Sequence, residues 1–154
     1  MRWFGVMICM RGVKVDLPFA NIEVIAPTEE IMKMVIKKQE ETAKQPLNAT
    51  SSDSKDLEKS LDELAKDIPP KPNLEKNNEL ANASSIAFIL RCDNLSMLML
   101  GDSYPQNVEK YLRDEKGYSE ENPLVVDYVK VSHHGSKNNT SNSLMDIIRC
   151  NKFI

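Results

Sequence analysis

Two short polar strings in this sequence carry side chains that could do chemistry, and each follows an apolar run. Gly101-Asp102-Ser103 comes after the run 95–100, and His133-His134-Gly135-Ser136 comes after the run 125–131. Asp102 offers a hard oxygen donor and a histidine a borderline nitrogen, a pair that suits zinc, manganese or iron better than calcium. The glycines would let a metal ion or a phosphate approach the backbone closely. Taken singly, a Gly-Asp after a strand is a turn, and a lone histidine is a hydrogen-bonded structural residue. Taken together, at the tips of two apolar strands about thirty residues apart, they point to a single site held by rigid elements.

Such a site needs strands that end at one edge. The apolar runs 86–92 and 95–100 are separated only by Asp93-Asn94, whose short side chains tolerate the left-handed conformations of a hairpin turn, so they are expected to pair antiparallel. Pro105 then opens a helix on which Val108, Tyr111 and Leu112 have helical spacing. A helix over 106–115 between two strands fits a parallel crossover, which would bring Asp102 and the His133-His134 pair to the same sheet edge. In the run 125–131, Val125, Asp127, Val129 and Val131 alternate with Val126, Tyr128 and Lys130. A last helix carries Leu144, Ile147 and Ile148, and Lys152-Phe153-Ile154 begins another strand.

Upstream, the run 22–26 reads as a strand that stops at Pro27, which cannot continue a ladder. Thr28 can cap a following helix, with Glu29 and Glu30 at its positive end, Ile31, Met34 and Val35 on one face, and Lys37 and Lys38 towards its C-terminus. The apolar run 3–10, between Arg2 and Arg11, reads as a core strand or helix. It is too short to span a bilayer and no small-residue cleavage site follows it.

The chain has 154 residues, of which 41% are apolar and 28% charged, the balance of one ordinary globular domain. Its formal charge of −3 provides no sequence-wide positive field, so any nucleic-acid contact would be local. Cys9, Cys92 and Cys150 lie far apart with no C-x-x-C spacing, which argues against a disulfide framework and for a reducing, cytoplasmic setting. No run approaches 18 consecutive apolar residues, so no membrane helix is expected. The chain divides into an N-terminal strand and helix segment (1–42), a polar inserted linker (43–82) and an α/β portion (83–154). Within the linker, Leu57, Leu61, Leu64 and Ile68 form a short amphipathic stripe.

Asn82-Ala83-Ser84-Ser85, Leu98-Met99-Leu100-Gly101-Asp102 and Val129-Lys130-Val131-Ser132-His133-His134-Gly135-Ser136 together resemble the second half of a metallo-β-lactamase-superfamily hydrolase. The resemblance is to the hydrolase domain at the C-terminus of bacterial competence proteins that import DNA, and to its free-standing relatives. Ile22-Glu23-Val24-Ile25-Ala26-Pro27-Thr28 resembles the strand-proline segment that precedes this region in that branch. The resemblance implies half of an αββα sandwich, a mixed sheet with packed helices, with a zinc or manganese centre at one edge. It implies Asp102 as the carboxylate bridging two ions and His133, or else His134, as the imidazole completing one site. If the backbone there is extended, adjacent side chains point to opposite faces and only one of the two ligates. Asn82 and Ser85 would orient the site, with Ser103, Gly135 and Ser136 supporting it or touching substrate.

The superfamily's first ligand cluster, His-x-His-x-Asp-His, has no counterpart, because His133 and His134 are the only histidines. Relatives also continue through a further strand beyond Phe153-Ile154. The sequence is therefore expected to form an incomplete metal-dependent hydrolase, acting on a phosphodiester or other ester in its complete relatives, with weak or no metal binding of its own. A missing N-terminal half-domain or a second copy would be the partner, and nucleic acid enters by resemblance only. The competing reading is a non-catalytic remnant or interaction protein without a working metal site.

Overall fold

The computed structural model describes residues 10–42, 71–74 and 77–154. Six strands form one sheet in sequential order: β1 (Lys14–Leu17), β2 (Ala20–Ala26), β3 (Ala87–Cys92), β4 (Leu95–Met99), β5 (Leu124–Lys130) and β6 (Ile148–Phe153). The first four pair antiparallel and β4, β5 and β6 pair parallel, so the molecule is an α/β fold built on a mixed sheet. Helix α1 (Glu29–Thr42) follows β2, α2 (Asn77–Ala83) precedes β3, α3 (Pro105–Lys110) joins β4 to β5, and α4 (Asn142–Asp146) joins β5 to β6. A wider π-helical turn, Tyr111–Glu115, extends α3. Among the described residues no helix is long and apolar enough to cross a membrane.

Alternation along the strands separates two faces. Ile89, Leu98 and Val129 lie in register across β3, β4 and β5 and are fully buried with Val108, Tyr111, Leu112 and Leu144 from the helices. Leu90 and Met97, paired across β3 and β4, belong to the alternate set on the other face and are half-buried. A smaller cluster joins Ile31 of α1, Leu80 and Ala83 of α2, and Tyr104.

Glu23 lies opposite Ile89 and so points at the helices. The Tyr111 hydroxyl donates to its carboxylate at 2.9 Å, Lys116 pairs with it closely, and Arg91 and Lys14 stand 3.7 and 3.9 Å away. Burial opposes its charge, but the bonds from Lys116 and Tyr111 prevail and hold the carboxyl below its usual range. The network ties the π turn to β2, 88 residues earlier.

Several local expectations hold. β2 ends before Pro27, the Thr28 hydroxyl accepts from the Ile31 amide at 3.3 Å, and Asp93-Asn94 turns the β3–β4 hairpin. Others need correction. Met34 is exposed, because Ile31 and Val35 alone make the packed face of α1, and the helix runs past Lys37 and Lys38 to Thr42. The segment assigned to a polar linker ends in α2, whose Leu80 and Ala83 are buried against α1, since packing outweighs its polar composition. The run 3–9, the stripe at Leu57, Leu61, Leu64 and Ile68, and most of the linker lie outside the described residues.

In β5 the buried positions are Leu124, Val126 and Val129, so strict alternation slips by one residue. Beside the slip, Asp127 accepts from both the amide and the hydroxyl of Ser96 at 2.7 Å and returns its own amide to that hydroxyl at 3.1 Å. Finally, Ile148 opens β6 and does not belong to the last helix, because β5 draws the segment into the ladder at Leu124 and Ile148.

Candidate functional site

β4 and β5 run parallel, so the chain segments that leave them emerge at one edge. β3 is antiparallel to β4 and therefore begins there, which brings Ser85 to the same place. The ladder continues past the strands: the Leu100 amide donates to the Lys130 carbonyl at 3.2 Å, and the His133 amide to the Gly101 carbonyl at 2.9 Å. The Asp102 turn and the histidine turn are thus bonded directly to each other.

Serine hydroxyls lock this edge. The Ser132 hydroxyl donates to the Ser103 carbonyl at 2.6 Å, the Ser103 hydroxyl to the Ser85 carbonyl at 2.9 Å, and the Asp102 amide to the Ser85 hydroxyl at 2.9 Å. Ser103 and Ser132 are each only 1% exposed, and their hydroxyls tie the turns to each other and to the start of β3. The Asp102 carbonyl accepts from the Asn139 side chain at 2.9 Å. With both backbone polar groups engaged, the residue presents its carboxylate from a fixed frame.

Gly101 is required by that packing. Its φ is +54°, and a Cβ there would stand 2.6 Å from the Ser85 hydroxyl and 2.9 Å from the Ile86 carbonyl. Only glycine permits the close approach.

The histidine turn, Ser132–Gly135, is not extended. His133 (φ 44°, ψ 52°) and His134 (φ 55°, ψ 28°) are both left-handed, and Gly135 follows at φ 80°. Alternation of side chains therefore does not decide between the two histidines, as an extended backbone would have done. Each non-glycine residue in this conformation costs roughly 1–3 kcal/mol, which the surrounding bonds must offset. The rings stand nearly perpendicular with centroids 6.2 Å apart, and His133 is half-buried whereas His134 is exposed. His133 Nδ1 lies 3.3 Å from the Asn82 side-chain nitrogen, a bond that reaches back 51 residues to α2. The same amide bonds the buried Tyr104 hydroxyl, whose pKa is raised by burial and by Glu79 while the Asn82 bond opposes them.

The structure thus brings Asn82, Ser85, Asp102, Ser103 and His133 to one edge, and places Gly135 and Ser136 at the outer end of the turn, where the Ser136 amide donates to the His133 carbonyl at 3.0 Å. It adds Asn139 and Tyr104. Asn139 sits in the polar string Ser136-Lys137-Asn138-Asn139-Thr140, where nothing in residue type separates it from its neighbour Asn138. Yet Asn139 is 3% exposed, bonded to Asp102.

The donors are of the right kind for zinc or manganese, a carboxylate with one or two imidazoles, but a catalytic zinc takes three protein ligands. Among the described residues no group of three or more His, Cys, Asp or Glu side chains is placed to hold an ion. No family model, no curated protein and no solved structure matches this chain.

Proposed function

We propose that this chain contributes part of a metal-dependent hydrolase centre of metallo-β-lactamase type, with Asp102 and His133 as its donors and His134 as the outer imidazole. The observation that carries this reading is the 2.9 Å bond from the His133 amide to the Gly101 carbonyl, which fixes a carboxylate-bearing and an imidazole-bearing turn against each other. Left-handed backbone at two successive histidines supports it, because strain of this kind collects where side chains must be aimed.

A bound zinc or manganese ion would supply a water of lowered pKa and neutralise the charge developing on a phosphodiester or other ester. The chain's own task is to orient: Ser85, Ser103, Ser132 and Asn139 hold the Asp102 frame, and Asn82 holds His133. The remaining ligands would come from a second segment bearing a His-x-His-x-Asp-His cluster, on a partner or a longer form of the chain. Calorimetric titration of the chain with zinc alone tests this. Weak binding that disappears in Asp102→Ala and in His133→Ala, with negligible turnover of a generic phosphodiester, is expected. Zinc binding untouched by both substitutions would refute the donor assignment, and robust turnover by the chain alone would refute the partial centre. In the latter case the competing view, an interaction protein without a metal site, also fails.

A further inference from the structure

We infer that the open cavity between the start of β4 and the strands β5 and β6 binds a small zwitterion of the free α-amino acid class, its ammonium group on Asp127 and its carboxylate on Lys152. The cavity lies at the other end of β4 from the Asp102 turn, so the inference does not depend on the hydrolase reading.

The space opens where β5 lacks ladder partners on both sides. Backbone pairing of β4 with β5 begins only at Met97 and Tyr128, and the β5–β6 register passes from Val126 and Cys150 to Tyr128 and Lys152 without pairing Asp127 to Asn151. Interrupted pairing of this kind aims side chains away from their regular places. The cavity measures about 300 Å³ and is lined by Asn94, Leu95, Asp127, Tyr128, Asn151 and Lys152. That volume stands at the lower end of the range for small-molecule sites.

Two opposite charges line this space, and each is held by neutral groups. Asp127 accepts from the Ser96 amide and hydroxyl, both at 2.7 Å, and these bonds hold its carboxyl below the usual carboxylate range. The Lys152 ammonium lies 5.4 Å from the centroid of the Tyr128 ring and 3.5 Å from its hydroxyl. The Lys152 backbone is tied to the Cys150 thiol, which accepts from the amide at 3.2 Å and donates to the carbonyl at 2.9 Å. Among the described residues neither Asp127 nor Lys152 forms an ion pair.

This pair of charges selects the ligand. An anion on Lys152 would sit in the same cavity as the Asp127 carboxylate, and a cation on Asp127 would face the ammonium, so a ligand of single charge gains at one group and loses at the other. A zwitterion gains at both. A carboxylate has about four acceptor sites and an ammonium three donors, so the bonds from Ser96 and to Tyr128 leave capacity for it. The carboxamides of Asn94 and Asn151, which donate and accept, suit either end of the ligand, and Leu95 supplies an apolar wall for its side chain.

The test is nitrogen–proton NMR of the full chain titrated with L-alanine at about pH 7, between the usual carboxylate and ammonium ranges. Saturable shifts are expected at the side-chain amides of Asn94 and Asn151, with a Kd of about 1–10 mM. Acetate and methylammonium, which carry one charge each, should bind at least about fivefold more weakly, and so should L-alanine to Asp127→Asn and to Lys152→Met. Asp127→Asn keeps an oxygen to accept from Ser96, and Lys152 is exposed, so both variants are expected to retain the wild-type spectrum elsewhere. Absence of saturable shifts up to about 100 mM overturns the inference, as does a single-charge ligand that binds as tightly as L-alanine. Wild-type affinity in either folded variant overturns it too. Should a variant lose the fold, the comparison of the three ligands on the wild-type chain decides alone.

Discussion

The His133 amide donates to the Gly101 carbonyl at 2.9 Å, so the histidine turn is bonded to the residue immediately before Asp102. One bond later than the last regular rung of the β4–β5 ladder, it continues parallel pairing into two turns that would otherwise be free to splay. The candidate site is thus an extension of the sheet, and its geometry inherits the rigidity of the core.

Gly101 is the point where this extension is tightest. Gly101→Ala is expected to destabilise the fold by at least about 2 kcal/mol, from the left-handed φ and the collision with Ser85 and the Ile86 carbonyl. Urea unfolding measures it. A change under about 0.5 kcal/mol, the range of a neutral surface substitution, would mean that the edge is loosely packed.

The strain at His134 predicts the opposite sign. This residue is exposed and left-handed, so His134→Gly relieves backbone strain without opening a cavity and should stabilise the chain by roughly 0.5–1 kcal/mol, net of the added chain entropy of glycine. A loss of stability in thermal or urea unfolding would show that the imidazole makes contacts worth more than the strain.

Removing the buried Ser132 hydroxyl should cost about 1–3 kcal/mol, because Ser132→Ala leaves the Ser103 carbonyl without its 2.6 Å donor. Faster hydrogen exchange is expected at the Asp102 amide, whose acceptor Ser85 belongs to the same serine chain. Exchange at Asp102 that stays at the wild-type rate would separate the two turns mechanically.

Glu23 gives a pH signature. Its folded pKa is depressed, so its contribution to stability is fully present above the unfolded value of about 4.3 and is lost as pH falls through the lower folded value. The stability difference between wild type and Glu23→Gln should therefore be largest above about pH 5 and shrink steadily below about pH 4. Unfolding curves across that window would give a constant difference if Lys116 and Tyr111 did not favour the charged form.

The sequence by itself determined the elements whose cause is local. Pro27 stopping β2, Thr28 capping α1, Asp93-Asn94 turning the hairpin and Pro105 opening α3 all act within a few residues, and each is found in place. The convergence of Asp102 and the histidine turn was also legible, because a strand, a helix and a second strand in succession lead to parallel pairing, and the structure has it. Strand β1 escaped notice: Lys14–Leu17 has only two apolar residues, and pairing with β2 supplies what its composition lacks.

Only the tertiary structure decided how the site is held. Left-handed backbone at His133 and His134 violates local preference, and the bonds that offset its cost, from the His133 amide to Gly101 and from the Ser136 amide to the His133 carbonyl, are made only in the folded chain. Polar segments do not announce which of their residues will be buried, so Asn139 under Asp102 and Asn82 against His133 emerge only once α2 and the loop after β5 have packed. A hydrogen bond spanning 51 residues leaves no periodicity in the chain. Patterns in sequence report contacts that recur along an element, whereas this edge is made of single contacts between elements, each fixed by packing elsewhere.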